Sequence, residues 1–390
     1  MVTSPTPPPP SRFCSPAAPD RLAHIGQKRR TVLYGARPDA ASALSSDNWI
    51  DRSWLRSLAN GHRPEHAPSF EMVAAPALRR TLDANHLLVQ AARPVLDKLA
   101  RAIADSRYFA ILTNQDGVVV DAHGAIDRSD RRADLITRIG TDLSEHRLAT
   151  TAIGAALTEL QPVWLHRGEH FFEANSVYSC AGAPLFGPSG VCVGMLDLTG
   201  IEAAERPELM HLVAQSARSI ENALTLTQPH SLLIRLNWPG RTLGDDTDGL
   251  VCVDADGYVQ GANQTARQML PQLSHLANAA LHCSDLFAMA FEMLFDMARR
   301  QGSSYSSTLE VPLWTGLRLH AMPLLLGQSA ALPRLQSNNA TAIPQPLRDV
   351  ETALIRRAVD DAKGNVMKAA RTLGISRATV YRRLGTAAKR

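Results

Sequence analysis

Residues 364–384, GNVMKAARTLGISRATVYRRL, contain two short helical patterns that meet at a sharp corner. Apolar residues recur in the first pattern at helical spacing: Val366, Ala369, Ala370 and Leu373. Gly374 is the residue type that ends a helix in the left-handed conformation, and Ser376 is a good N-cap for a second helix. Val380 and Leu384 form the buried side of that second helix. The segment is therefore predicted to fold as a helix-turn-helix.

The second helix has the surface of a DNA-reading helix. At 100° per residue, Ala378 and Arg382 lie opposite the apolar side. Recognition helices present their N-terminal residues to base edges, so we expect Arg377 to contact a guanine. The predicted DNA-contacting residues of this helix are Ser376, Arg377, Ala378, Thr379, Tyr381 and Arg382. The basic residues predicted to neutralise phosphates are Lys368, Arg371, Arg383, Lys389 and Arg390.

The charge distribution agrees with a nucleic-acid-binding end. Residues 348–390 contain 11 Lys/Arg and four Asp/Glu, a net charge of +7, whereas the whole chain carries +4. The remainder is therefore slightly acidic. A basic excess confined to one end is typical of a nucleic-acid-binding module. The alternative is a solvated helical hairpin with basic residues outside, but the corner, cap and stripe all favour DNA binding.

The same residues resemble a known family. The pattern G-N-x-x-x-A-A-x-x-L-G-I-S-R-x-T-x-Y-R-R-L resembles the C-terminal DNA-binding domain of Fis-type regulators. The resemblance implies an all-α helix-turn-helix domain, here 347–390, in which a dimerising helix comes first. The apolar band between Val350 and Val359 is too wide for one packing surface, so a second chain is expected to cover part of it. A homodimer would then read two half-sites on double-stranded DNA.

Composition divides the rest of the chain. Residues 1–46 include Pro7, Pro8, Pro9 and Pro10 and are predicted to be a disordered Pro-rich N-terminus. Residues 327–346 lack periodicity and are predicted to be a linker. No apolar run is long enough to span a membrane, and no secretory signal is seen. The five cysteines form no C-x-x-C pair, which favours the reducing cytoplasm.

Residues 47–226 are expected to form N-terminal helices followed by one α+β domain. Two hairpins are predicted: Tyr108–Thr113 with Val118–Asp121, and Cys180–Phe186 with Val191–Leu198. Helices are predicted at 85–106, 131–139 and 147–160, and along an apolar stripe from Leu209 to Leu224. Helices beside an antiparallel sheet are typical of the α+β class.

Several motifs in this domain resemble one family of bacterial regulators. They are T-A-I-G-A-A-L (151–157), Q-P-V-W (161–164), G-E-H-F (168–171), C-A-G-A-P-L (180–185) and G-M-L-D-L-T-G (194–200), with S-W-L-R at 53–56 upstream. Together they resemble the GAF-type sensor domain of acetoin-catabolism regulators among the enhancer-binding proteins. That resemblance implies sensing of a small-molecule effector and activation of a catabolic operon.

Residues 249–270 predict a strand, an Asp-Ala-Asp-Gly turn, a second strand and a helix that begins at Asn263. This succession resembles the start of a PAS domain, and apolar segments 307–313 and 317–326 would complete its sheet. The region 227–326 is therefore predicted to be PAS-like. The expected fold is a multidomain α+β chain with a GAF-type sensor, a PAS-like domain and a C-terminal Fis-type helix-turn-helix.

One part of the family pattern is missing. Full-length enhancer-binding proteins carry an ATPase between sensor and DNA-binding domain, but no G-x-x-x-x-G-K-[ST] phosphate-binding loop occurs here. The chain is therefore expected to act without ATP hydrolysis, through RNA polymerase or another regulator. An alternative is a shortened paralogue that forms hetero-oligomers with full-length ATPase regulators and modulates them. A third interpretation, an enzyme tethered to DNA, has no support from any catalytic constellation.

The richest polar and aromatic cluster lies at 166–172. We predict a ligand pocket walled by Trp164, His166, Phe171, Phe172 and Tyr178, although these residues are nearly as well explained as packing between sheet and helices. A metal site at His166, His170 and Cys180 matches no standard spacing, so no metal or cofactor is expected. Asp197 lies in an apolar strand, where it either caps a loop or faces the pocket, and capping is favoured. Redox sensing through Cys180 or Cys192 is a weaker alternative, since buried strand thiols are usually inert.

Overall fold

The computed structural model describes residues 18–35, 48–276, 279–300 and 308–325, together with residues 359, 366, 367, 370, 377 and 380. The chain divides into two units, Met1–Ser329 and Ala330–Arg390, each of which is described by itself. No helix among the described residues is both long and apolar enough to cross a bilayer.

The first sheet in the chain is antiparallel and has five strands in the spatial order β2-β1-β5-β4-β3. Its strands are β1 Tyr108–Asn114, β2 Val119–Gly124, β3 Val163–His166, β4 Tyr178–Phe186 and β5 Cys192–Ile201. Both predicted hairpins are present. At the turn between β1 and β2, Oδ1 of Asn114 accepts from the amides of Asp116 and Val118 at 3.1 and 2.9 Å. Gly117 adopts a φ of +81°, where a side chain would also meet the backbone of Ser144.

Helices cover both faces of this sheet. On one face α4 (His86–Ala102) and α8 (Leu209–Leu226) enclose a core that includes Leu196, Val213 and Ile220. The opposite face packs against three short helices: α5 Arg131–Thr137, α6 Glu145–Leu148 and α7 Ala152–Glu159. The predicted helices at 85–106, 131–139 and 209–224 are confirmed in place, whereas 147–160 is divided between α6 and α7.

Three helices precede this domain: α1 Ala18–Tyr34, α2 Trp49–Ala59 and α3 Ala75–Ala84. The prediction that 1–46 is disordered is wrong for α1, whose buried Leu33 joins a cluster with Trp54, Phe171 and Phe172. Proline richness up to Pro19 obscured the helix, because the residues after it have ordinary helix-forming composition. Residues 1–17 and 36–47 lie outside the described residues.

A second antiparallel sheet follows, with the spatial order β8-β7-β6-β10-β9. Its strands are β6 Leu232–Asn237, β7 Gly249–Val253, β8 Val259–Ala262, β9 Leu309–Pro312 and β10 Arg318–Leu325. Its helices are α9 Gln264–Met269, α10 Cys283–Leu286 and α11 Glu292–Arg300. The succession predicted for 249–270 is confirmed, including Asn263 as the N-cap of α9. The central strand β6 was not predicted.

The two sheets share one spatial arrangement of strands. Numbered from its own first strand, the first sheet has the order 2-1-5-4-3 and the second 3-2-1-5-4. If β6 is counted as the last strand of the second sheet instead of the first, the order of that sheet also becomes 2-1-5-4-3. The central strand is therefore the last of its sheet in the chain in one case (β5) and the first in the other (β6).

The few described residues of the C-terminal unit are helical. Ala370 and Val380 are buried and pack together, with Val359 and Val366 against them. This contact confirms the predicted apolar sides at Val366, Ala370 and Val380. Arg377 is helical and exposed.

Candidate functional site

A cavity of about 40 Å³ lies in the first α+β domain, between the sheet and helices α5, α6 and α7. Much of its wall is apolar and includes Phe70, Ile111, Ile136, Leu143 and Leu148. The polar residues that line it are Thr151, His170, Asn175, Tyr178, Cys180, Asp197 and Thr199. The volume exceeds the roughly 10–15 Å³ that one water needs. It therefore has room for a compact molecule of a few non-hydrogen atoms.

Strand alternation directs Asp197 into this cavity. Leu196 and Leu198 on β5 pack against α4 and α8, so the residue between them faces the other side of the sheet. Asp197 is fully buried, its Oδ2 accepts from the hydroxyl of Thr199, and its Oδ1 has no partner in the structure. Burial raises the pKa of Asp197 to about 7. The loop-capping role favoured from sequence is wrong, because the carboxyl group faces the cavity.

Thr199 also links Asp197 to the neighbouring strand. Cys180 pairs with Thr199 across β4 and β5, and their sulfur and hydroxyl oxygen are 3.3 Å apart. Burial raises the pKa of Cys180 well above its ordinary value. The thiol therefore stays protonated, which argues against redox sensing at this cysteine because the thiolate is the reactive form.

His170 presents the second unpartnered polar atom in the cavity. It follows a 3₁₀ turn over Arg167–Glu169, and its Nδ1 is 2.9 Å from the carbonyl oxygen of Arg167. A carbonyl oxygen only accepts, so Nδ1 carries the hydrogen and Nε2 is left as an acceptor. That Nε2 has no partner. Burial lowers the pKa of His170 to about 4, which keeps the ring neutral.

The segment that carries His170 is held by α1. Nη1 of Arg29 donates to the carbonyl oxygens of Gly168 and His170 at 2.8 and 2.5 Å, and its Nη2 donates to that of Phe171 at 2.9 Å. Arg29 is itself buried and lies over the ring of Trp54. The backbone of 167–172 thus depends on a helix that is distant in sequence.

Helix α2 adds contacts from the S-W-L-R motif. Nε1 of Trp54 donates to the carbonyl oxygen of Glu169 at 2.8 Å. The hydroxyl of Ser53 donates to Glu145 at 2.7 Å, and Arg56 forms ion pairs with Glu145 and Glu159 at 3.1 and 2.9 Å. The motif therefore joins α2 to the helices and loop around the cavity.

The five residues predicted to wall the pocket do not lie together. Tyr178 lines the cavity, and its hydroxyl donates to the carbonyl oxygen of Arg132 at 3.3 Å. Phe171 and Phe172 are buried instead in the cluster under α1 and α2. Trp164 packs against the core below α4 and α8, and Nδ1 of His166 lies 2.8 Å from the hydroxyl oxygen of Ser179.

The pocket prediction was wrong for Trp164 and His166 because successive side chains of a strand point to opposite faces of the sheet. Leu165 packs on the cavity side of the sheet, so Trp164 and His166 on either side of it face away. Among the described residues, no three His, Cys, Asp or Glu side chains lie close enough together to hold a metal ion. Asp197 carried a usable signal, namely a carboxylate in an otherwise apolar strand.

Among the residues predicted to contact DNA, the structure describes only Arg377, which is helical and exposed. The others lie outside the described residues: Lys368, Arg371, Ser376, Ala378, Thr379, Tyr381, Arg382, Arg383, Lys389 and Arg390. Their contacts with DNA stay predictions. The linker predicted at 327–346 also lies outside.

Two family models match the chain. Residues 30–222 match the N-terminal domain of MimR, and residues 346–385 match the Fis family of bacterial regulatory proteins. The first match contains the cavity and helix α2, and the second contains the predicted helix-turn-helix.

Curated relatives carry the names of regulators. The chain is 28% identical over 284 residues to the acetoin catabolism regulatory protein of Cupriavidus necator, which covers 70% of this chain and 41% of that protein. It is 32% identical over 191 residues to the propane 2-monooxygenase operon transcriptional activator MimR of Mycolicibacterium goodii, which covers 48% of this chain and 30% of that protein. The chain thus spans less than half the length of these relatives.

Among solved structures, the complex of DhaR(N) with DhaL from E. coli aligns over 71% of this chain and 99% of that chain. The two are 14% identical, with a TM-score of 0.43.

Proposed function

We propose that this chain is a DNA-binding transcriptional activator of a catabolic operon that senses a small molecule in its first α+β domain. Its homologues are acetoin-catabolism and MimR-type transcriptional activators with an N-terminal MimR domain and a C-terminal Fis helix-turn-helix. Those relatives are transcriptional regulators, not enzymes. We place the protein in the cytoplasm, where its double-stranded DNA target lies.

One observation carries the sensing part of the proposal. The domain that matches the MimR N-terminus contains a buried cavity with two side-chain atoms that have no partner, Nε2 of His170 and Oδ1 of Asp197. Buried polar groups in proteins are nearly always hydrogen-bonded, because an unpaired one costs about 1–3 kcal/mol. A ligand that supplies both partners would remove that cost, so the bound state gains stability.

The proposal also assigns a fold type to each of the two α+β domains. A five-stranded antiparallel sheet with a cavity on one face supports the GAF-type interpretation of the first domain. The same arrangement of strands with its central strand first supports a PAS-like second domain whose connectivity is permuted.

The effector acts on DNA binding through differential affinity. A ligand shifts a conformational equilibrium only by as much as its affinity for the two states differs. No phosphate-binding loop is present in the sequence, so we propose that the regulator acts without ATP hydrolysis, by binding its site as a homodimer and recruiting RNA polymerase.

A second candidate is a partner subunit for longer regulators. It is favoured by a match to the MimR N-terminal domain and a match to the Fis family in one chain, with no G-x-x-x-x-G-K-[ST] loop in the sequence between them. In that case the chain would form hetero-oligomers with ATPase regulators. Co-purification with such a regulator, and no operator binding by the chain alone, would favour this candidate.

The DNA-binding part is tested with Arg377→Ala in the full chain. Operator fragments are first selected from random DNA by the wild-type protein, and affinities are then measured on selected and random DNA. Loss of one bidentate base contact is expected to cost about 1–3 kcal/mol on the selected site only. The matched control is Arg299→Ala, an exposed arginine of α11 that should bind as the wild type does. Equal losses on selected and random DNA would contradict a base contact at Arg377.

A further inference from the structure

The second α+β domain exposes aromatic side chains that lie next to one another. Tyr258 in the turn between β7 and β8 is 45% exposed, and Trp314 in the turn between β9 and β10 is 66% exposed. The ring centroid of His282 lies 5.1 Å from that of Tyr258 and 4.9 Å from that of Phe291. We refer to Tyr258, His282, Phe291 and Trp314 as the aromatic patch. Contiguous exposed apolar surface on a soluble domain is typical of an interaction site.

Hydrogen bonds hold the aromatic patch in one arrangement. Nε1 of Trp314 donates to the carbonyl oxygen of Ser284 at 2.8 Å. The amide of Ser284 in turn donates to Nδ1 of His282 at 3.2 Å, and Nε2 of that ring donates to the carbonyl oxygen of Asp256 at 3.0 Å. An amide only donates and a carbonyl oxygen only accepts, so these bonds use both nitrogens of the neutral ring. A patch that is ordered before binding loses little conformational entropy in a complex.

Carboxylates lie beside the aromatic patch without a counter-charge. Oδ1 of Asp254 accepts from the amide of Tyr258 at 2.9 Å, and Oδ2 of Asp285 accepts from the amide of His282 at 3.0 Å. With two further acidic residues they form what we call the acidic rim: Asp254, Asp256, Asp285 and Glu292. Among the described residues, none of these four forms an ion pair, whereas three other carboxylates of the same domain do: Asp248, Asp296 and Glu310. The surface is therefore both aromatic and negatively charged.

The negative charge decides among the classes of partner. DNA and the anionic face of a membrane carry charge of the same sign and would be repelled. A second copy of the chain that presented the same patch would set carboxylates against carboxylates, because a two-fold interface pairs one surface with itself. A protein segment with Lys or Arg is attracted instead, and its cations can also lie over the ring faces of Trp314 and Tyr258.

We propose that the aromatic patch and its acidic rim dock a segment of a second protein in which Lys or Arg alternates with apolar side chains. The cations pair with the acidic rim, and the apolar side chains pack on Trp314 and Tyr258. The inference rests on the proposed function, in which the regulator recruits another protein while it is bound to DNA. The basic residues of 348–390 are then expected to neutralise phosphates, which leaves the acidic rim free for that partner.

The chemistry of the partner is tested by fluorescence anisotropy with the full chain and labelled synthetic peptides of equal length. In one peptide Arg alternates with Leu, in the second Arg alternates with Ser, and in the third Glu alternates with Leu. The Arg-Leu peptide is expected to bind about tenfold more tightly than the Arg-Ser peptide, since burial of apolar side chains is lost in the latter. The Glu-Leu peptide is expected not to bind.

Equal affinities of the Arg-Leu and Arg-Ser peptides would overturn the role of the aromatic patch. Binding of the Glu-Leu peptide at least as tight as that of the Arg-Leu peptide, or no binding of either Arg peptide, would overturn the docking surface.

Substitutions separate the aromatic and the charged contributions. Trp314→Ala is expected to weaken binding of the Arg-Leu peptide about tenfold, and Trp314→Phe, which keeps an aromatic face, to restore part of it. The double variant Asp256→Asn/Asp285→Asn removes two charges, so it should weaken binding and flatten its dependence on salt. Matched controls are Trp238→Ala, exposed in the loop after β6, and Asp83→Asn, exposed on α3. Wild-type affinity in both Trp314→Ala and the double variant would overturn the docking surface.

Transcription with purified RNA polymerase on the selected operator gives the readout that a packing role would not move. Trp314→Ala and the double variant are expected to bind the operator as the wild type does but to lose most of the activation. Wild-type activation in both would overturn the inference. Tighter operator binding by Trp314→Ala would show that the surface docks the basic segment of the chain itself, and it would overturn the second protein as occupant.

The two proposals fail in different ways. Absence of peptide binding with operator binding intact would overturn the docking surface and leave the regulator proposal standing. Failure of the wild type to bind any operator, with selective binding of the Arg-Leu peptide, would instead contradict the regulator proposal and support the docking surface.

Discussion

Each of the two α+β domains contains a fully buried aspartate, Asp197 within β5 and Asp248 directly before β7, but only the carboxyl group of Asp248 is fully hydrogen-bonded. Asp248 in the second domain accepts from Nη1 of Arg235 at 3.1 Å, from the amide of Gly244 at 2.7 Å and from Nδ2 of Asn237 at 3.2 Å. Asp197 in the first domain has one partner and one unpartnered oxygen that faces a cavity. The two domains share an arrangement of strands, so the sheet alone does not dictate this difference.

The comparison teaches how to distinguish a structural carboxylate from a binding one. In Asp248 the hydrogen bonds are complete within the domain, so the group stabilises the fold and has nothing left to offer a ligand. In Asp197 the fold bears the cost of an unpaired oxygen. Such a cost persists at sites where a ligand later supplies the partner.

The largest expected effect is on Asp248. Asp248→Ala removes three hydrogen bonds and leaves Arg235 without its carboxylate, which should lower the free energy of unfolding by about 3–5 kcal/mol. Chemical denaturation followed by circular dichroism measures the change. The exposed turn residue Asp256→Ala should change it by less than about 0.5 kcal/mol. A comparable small change in Asp248→Ala would remove the contrast between the two aspartates.

Asp197→Asn is expected to raise the free energy of unfolding relative to the wild type as the pH rises, whereas Asp248→Ala lowers it. The folded pKa of about 7 lies above the ordinary value of 3.8, so the folded protein holds this proton more tightly than the unfolded chain. Wild-type stability from this group is therefore complete below about pH 4 and is lost as the pH rises to about 7. Asp197→Asn escapes that loss, and its stability relative to the wild type should rise by roughly 2–4 kcal/mol across this window.

Other buried groups also contribute to the pH dependence of stability, so it is measured as the difference between variant and wild type. Burial also raises the pKa of Glu221 to about 7, and it lowers that of His170 to about 4, which acts in the opposite direction. Both contributions cancel in the difference. A difference that does not vary with pH would show that Asp197 titrates normally.

A smaller effect is expected from the contacts that hold the cavity wall from outside. Arg29→Ala removes the donors to three carbonyl oxygens of 168–171 and should cost about 2 kcal/mol. Hydrogen exchange in 167–172 should quicken while that in β7 stays unchanged. Arg30→Ala, exposed on the same helix, is the matched control. Unchanged exchange at 167–172 in Arg29→Ala would show that α1 does not support the wall.

Local signals in the sequence predicted much of the fold. The hairpin turn at Asn114–Gly117 and the cap at Asn263 are satisfied by neighbouring residues, so each could be recognised from a few letters. Strand β6 and helix α1 were missed. β6 is stabilised by pairing with β7 and β10, and α1 is stabilised by contacts with residues about 140 positions away. Neither kind of contact leaves a local signal in the sequence.

The candidate site was harder to predict than the fold. Of the five residues expected around a pocket, only Tyr178 lines the cavity. The face of the sheet on which a side chain lies depends on the register of its strand, which the sequence alone does not give. Trp164 and His166 are conspicuous in the sequence but face away, while Asp197 faces inward. His170 could not be placed at all without the turn at Arg167–Glu169 and the helix that holds it.

Hydrogen exchange with and without a small molecule that stabilises the protein in a thermal-shift screen tests the central claim most directly, namely that a ligand completes the hydrogen bonding of Asp197, whereas the carboxyl group of Asp248 is already satisfied. The account predicts added protection in 167–172 and in β5 around Asp197, and no change in β7 or around Asp248. Protection around Asp248, with 167–172 and β5 unchanged, would contradict it.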